Sequence, residues 1–142
     1  MDFRSPLNTV RKVIVTGGPG AGKTALLAEL AARGYLCIPD NARAIIRERK
    51  QRGESPRPEP AEFAREILCR DIETYRATPD ERVAFFDRGI PDALCMLDAV
   101  GLLSTVELDR YLSEYPYAHT VIVVPPWREI YRVDSERDQT FE

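Results

Sequence analysis

Two rhythms of hydrophobic and polar positions alternate along the chain. Residues 10–16 (VRKVIVT) are a short β-rich run that ends in glycines, which predicts a buried strand. Residues 23–33 then place Leu26, Leu27, Leu30 and Ala31 at helical spacing, and Gly34 ends that helix. A second apolar run at 35–38 is closed by Pro39. Over 41–52, Ala42, Ile45, Ile46 and Arg49 step by three or four, the period of a helix. Residues 53–60 (GESPRPEP) carry three prolines and fit neither helix nor strand, so an exposed, mobile loop is expected. An amphipathic helix follows over 61–76, with Phe63, Ile67, Leu68, Ile72 and Tyr75 on its apolar face.

The alternation continues. Residues 83–86 (VAFF) read as a third strand ending on Asp87. A helix over 91–100 has proline in its first turn and Gly101 after its end. Ser104 and Glu107 stand at capping-box spacing for a helix reaching 115. Residues 120–124 (TVIVV) are a fourth strand, Pro125 and Pro126 break the chain, and the pattern from Trp127 is helical again. Strands that are continuous apolar runs, separated by helices, predict an α/β domain over 1–142 whose parallel sheet is covered on both faces. Ligand chemistry then belongs at the carboxyl ends of the strands, after Thr16, Ile38, Phe86 and Val124.

Composition narrows the function classes. With 44% hydrophobic and 30% charged residues among 142, the chain is globular rather than disordered. A net charge of -3 argues against a general nucleic-acid binder. No apolar run approaches the roughly 20 residues of a membrane helix, and MDFRSPLNTVRK is no secretory signal, so a cytoplasmic address is expected. Cys37, Cys69 and Cys95 form no metal-binding pair and are expected as buried small hydrophobes in a reducing compartment. His119 is the single histidine, without an obvious partner, which argues against histidine-based catalysis and a zinc site.

The chemistry lies at the strand ends. Gly17, Gly18, Pro19, Gly20, Ala21, Gly22, Lys23 and Thr24 fit G-x-x-x-x-G-K-[ST] between a strand and a helix. Glycines let successive amides curl around a phosphate, and the helix adds its positive N-terminal end. Lys23 is placed to reach the β- and γ-phosphates, and the Thr24 hydroxyl to ligate Mg²⁺. Asp87 occupies the strand-end position that holds Mg²⁺ in such proteins, or else caps the following helix. Arg88 fits either a substrate or phosphate contact or a surface ion pair. Asp40 is placed to take a proton from an acceptor hydroxyl or to N-cap the helix after it. Arg43, one turn on, either orients an anionic acceptor or stays solvated. Arg128, Arg132 and Arg137 fit a clamp on the transferring phosphoryl group, unless Glu129, Asp134, Glu136 and Asp138 pair with them along an exposed helix. Arg65, Glu66, Arg70, Asp71 and Glu73 read as a solvated helix face, with Arg70 and Asp71 able to turn toward the acceptor.

GGPGAGKT at 17–24, GYLCIPDNARAII at 34–46, FFDRGIPDAL at 85–94 and PPWREIYRVDSERDQTFE at 125–142 together resemble the small ATPase family labelled "AAA domain". Its members are similar to P-loop nucleoside and nucleotide kinases rather than to hexameric remodelling machines. The resemblance implies a three-layer, kinase-like P-loop fold, a Walker-B role for Asp87 and a lid carrying Arg132 and Arg137. Relatives usually place glutamate where this chain has Asp40, and they continue past the point matching Glu142 with a helix and a strand. A C-terminally truncated chain is expected on that comparison, with the fourth strand as a bare apolar edge. The leading expectation is a Mg²⁺-dependent, ATP-binding phosphotransferase acting on a small-molecule acceptor. The alternatives are a nucleotide-dependent switch or binding module with slow hydrolysis, and an ATPase serving a partner in a toxin–antitoxin or defence system. No N/T-K-x-D guanine-reading motif follows the fourth strand, where PPWR stands, so ATP is preferred over GTP.

Overall fold

A computed structural model describes residues 10–18, 22–56 and 58–125. The β-branched and aromatic runs form β1 (Lys12–Thr16), β2 (Leu36–Ile38), β3 (Ala84–Asp87) and β4 (Ile122–Val123). Between them lie α1 (Lys23–Ala32), α2 (Asn41–Gln51), α3 (Pro60–Ala77), α4 (Ile90–Ala99) and α5 (Thr105–Glu114). The strands make one parallel sheet in the order β2-β3-β1-β4, which is the expected α/β class. Its register sets Val15 opposite Asp87 and Thr16 opposite Val123, so the carboxyl ends of these strands share one edge.

The chain divides into two compact units. The first comprises Met1–Pro39, Asp80–Asp87 and Tyr117–Glu142, and the second Asp40–Pro79 and Arg88–Pro116.

The first unit holds the sheet and α1. Its core is made by Ile14, Val15, Ala84 and Phe86 on the two central strands. Tyr117 meets Phe86 and Tyr35 meets Phe85 edge-on, at 5.5 and 5.4 Å between ring centroids. α1 packs on β2 and β3, yet no α1 residue is fully buried; Leu26, Leu27 and Leu30 are half-covered. At the opposite edge from the strand ends, buried Lys12 donates to Asp80 Oδ1 at 2.5 Å, and Arg11 donates to the Glu81 carbonyl at 2.7 Å. β4 is shorter than the expected 120–124. Ala118 N donates to Lys12 O and Val124 N to Thr16 O, so six residues advance on one side against four on the other. The ladder is regular only at Ile122–Val123. Val123, on the edge strand of the described sheet, is 67% exposed.

The second unit is helical. Phe63, Ala64, Ile67 and Leu68 of α3 and Ile90, Ala93, Leu94 and Leu97 of α4 are buried where the two helices pack together. Each large side chain removed from water contributes about 1.5–3 kcal/mol. α2 adds Ile45 and Ile46 against α3. Arg70 bridges α3 to Glu48 of α2 with two donors and holds the Glu48 carboxyl below its usual range. Ile72 and Tyr75, expected on the apolar face of α3, are half-buried, and the Tyr75 hydroxyl donates to the Pro116 carbonyl at 2.6 Å. Glu59 caps α3 through the amides of Ala61 and Glu62, with Pro60 opening the helix. The loop before it is exposed through Ser55 but tied down: Arg49 donates to the Ser55 carbonyl at 2.6 Å and pairs with Glu54 at 3.5 Å.

Two expectations need correction. Cys69 and Cys95 are exposed and Cys37 is half-buried, where all three were expected inside. Cys69 and Cys95 fall off the buried phase of their helices, which runs through Ala64, Ile67, Leu68 and Asp71 on α3 and through Ala93, Leu94 and Leu97 on α4. Asp71 does not lie on a solvated face; it is buried. Among the described residues, no helix is long and apolar enough to cross a membrane.

Candidate functional site

The glycine motif begins where β1 stops. Gly17 has φ 155° and Gly22 has φ 85°, conformations that a side chain strains. Gly22 directly precedes α1, so Lys23 and Thr24 are its first two helical residues and their amides carry the positive end of the helix. Thr24 is exposed. Cys37 Sγ donates to the Leu27 carbonyl at 3.4 Å, tying α1 to β2, and burial pushes the Cys37 thiol up.

Asp87 closes β3 beside β1 and meets Lys23 across that strand end. Lys23 Nζ stands 3.4 Å from Asp87 Oδ1, with the two side chains 13% and 15% exposed. The contact is an ion pair without hydrogen-bond alignment: Oδ1 is buried and, among the described residues, accepts no hydrogen bond. An unsatisfied buried carboxylate oxygen and a threonine hydroxyl are each the kind of donor a hard divalent cation takes. Among the described residues no group of three Asp, Glu, His or Cys could enclose a metal alone. That suits Mg²⁺, which is commonly held by one carboxylate, substrate phosphates and water. Thr24 and Asp87 therefore fit the cation, and Gly17, Gly18, Gly22 and Lys23 fit the phosphates. Pro19, Gly20, Ala21, Arg128, Arg132 and Arg137 lie outside the described residues.

The other expected residues, Asp40, Arg43 and Arg88, belong to the second unit. Asp40 is buried and caps α2, its Oδ1 accepting from the Ala42 amide at 2.9 Å. Its Oδ2 stands 3.6 Å from Arg88 Nη1, so capping and ion pairing both engage this carboxylate. Arg88 has φ 63°, the only described non-glycine residue in the left-handed region. Gly89 follows it, and the Gly89 amide donates to Asp92 Oδ2 at 2.8 Å at the start of α4. Arg43 is half-buried on α2.

Asn41 was not singled out for this neighbourhood, and Asp71 was read as a solvated-face residue able to turn toward the acceptor. Asn41 Nδ2 donates to Asp71 Oδ1 at 2.8 Å and to Thr74 Oγ1 at 3.1 Å, which clamps the first residue of α2 to α3. Burial pushes Asp71 up to about 6; the Asn41 bond opposes that shift, and the charges of Asp40 and Asp92 add to it. A signal was present in the sequence. Asp71 lies four residues after Ile67 and three after Leu68, in phase with the apolar face.

A family model described as an AAA domain matches residues 12–142. No curated protein matches the chain.

Proposed function

The chain belongs to the AAA domain family, a P-loop nucleotide-binding family with ATPase-type activity, and from that premise we propose that it binds ATP with Mg²⁺ and transfers the γ-phosphoryl group to a small acceptor bearing a hydroxyl or phosphate. The observation that carries this reading is the meeting of Lys23 and Asp87 at 3.4 Å, at the carboxyl ends of β1 and β3. Amides of the glycine turn and of α1 would grip the phosphates, and Lys23 would neutralise charge on the β- and γ-oxygens. Thr24 and Asp87 would hold Mg²⁺, whose part is to offset charge that builds on the transferring group. Arg128, Arg132 and Arg137 are assigned to the transition-state clamp. Asp40, Arg43 and Arg88 are assigned to the acceptor. Asp40 is assigned to receive the hydroxyl proton, with Arg88 Nη1 3.6 Å from its Oδ2. One family match running through residues of both compact units supports treating 1–142 as one working domain.

Calorimetry with MgATP, on the wild-type chain and Lys23→Ala, tests the nucleotide half. Loss of one phosphate-binding cation is expected to weaken binding by about 10- to 100-fold. An acceptor screen by coupled ADP release tests the transfer half. A true acceptor raises ADP formation above the water background, and Asp40→Asn suppresses that increment alone. If no acceptor does so, the transferase assignment is wrong and nucleotide hydrolysis or switching stands in its place.

A further inference from the structure

We propose, resting on the nucleotide site assigned above, that Lys23 is a resident counter-ion for Asp87 and keeps divalent cations off this carboxylate until phosphate oxygens draw the ammonium away. The two groups are 3.4 Å apart and their side chains are largely covered. A carboxylate in such surroundings needs a compensating charge, and Lys23 supplies one. The compensation is incomplete, because Asp87 Oδ1 accepts no hydrogen bond from the lysine or from any other described residue. The contact therefore balances charge while leaving the lone pairs of the oxygen unused, and each partner has a stronger claimant. Phosphate oxygens match the ammonium, and a hard dication matches the carboxylate. A cation arriving alone would sit within a few ångströms of the lysine charge, where repulsion is poorly screened. A cation arriving with nucleotide meets a lysine already shared with phosphate. Metal binding is thus conditional on nucleotide, and the condition is imposed by one side chain.

Mn²⁺ without nucleotide is the probe, its free concentration read by electron paramagnetic resonance in titrations of the full chain. Lys23→Met is expected to bind Mn²⁺ at least about tenfold more tightly than wild type. Lys23→Arg, which keeps the charge, should match wild type, and adding Asp87→Asn to Lys23→Met should remove the gain. Lys23→Gln serves if the methionine variant does not fold, as judged by far-UV circular dichroism. Equal Mn²⁺ affinity in wild type and the neutral variant, including undetectable binding in both, overturns the proposal. MgATP calorimetry on wild type is scored separately. A gain of Mn²⁺ binding in a chain that ignores MgATP would keep the counter-ion and remove the nucleotide site.

Discussion

Arg88 shows at the scale of one residue how a local cost points to use. A left-handed backbone costs a non-glycine residue about 1–2 kcal/mol, and at φ 63° Arg88 bears it while placing its guanidinium 3.6 Å from Asp40. Two substitutions separate backbone from side chain. Arg88→Ala loses the ion pair and keeps the strain; Arg88→Gly loses the same pair and relieves it. Urea denaturation should find the glycine variant more stable than the alanine variant by about 1 kcal/mol. An alanine variant as stable as the glycine one would show that the turn is unstrained. Both should impair acceptor-stimulated ADP release alike, since both lack the guanidinium. The sequence placed Arg88 beside Asp87, but its pairing with Asp40 joins residues 48 positions apart, beyond any local pattern. Asp71 was hidden for a different reason. Its charged neighbours Arg70 and Glu73 suggested a wet face, although helical phase already pointed it inward.

At the scale of elements, helices were legible wherever a cap or a stop accompanied the apolar rhythm. α5 shows how much its cap contributes, since none of its residues is buried. Ser104 Oγ accepts from the Glu107 amide, and the Glu107 carboxylate accepts from the Ser104 amide, both at 3.1 Å. Those same bonds hold the Glu107 carboxyl below its ordinary range. Ser104→Ala should therefore cost about 1 kcal/mol locally. Hydrogen exchange is the suitable measurement: amides of α5 should exchange about fivefold faster, while those of α3 and α4 remain unchanged. A uniform change through all three helices would mean that α5 opens only with the rest. Strand lengths were less legible. TVIVV has the composition of a five-residue strand, but β4 has a regular neighbour only where its register with β1 holds, and composition carries no register.

For the molecule as a whole, one buried carboxylate sets a pH dependence. Asp71 titrates near 6 in the folded chain against 3.8 as an ordinary aspartate. Between those values the folded chain holds a proton that the unfolded chain has released, so this group's contribution lowers stability as pH rises from about 4 to about 6. The loss is complete above that window and amounts to about 3 kcal/mol at most. Asp71→Asn stays neutral throughout. Its stability advantage over wild type should be small at pH 4 and grow to a plateau by pH 7.5, as read by chemical denaturation at each pH. A difference that does not vary with pH would show that Asp71 titrates normally. The α/β architecture and the phosphate motif were readable because both are local: contiguous runs, fixed spacings and a glycine turn. The order β2-β3-β1-β4 was not, because it is decided by partners distant in the chain.

That order has a consequence for biosynthesis. Lys12 pairs opposite Ala84, 72 positions later, and Val15 opposite Ile122, 107 positions later. The interior strand is made first and its neighbours on either side much later. On the ribosome β1 waits, apolar and without these sheet partners, until they are translated, and only then can the root of the phosphate loop be locked in place.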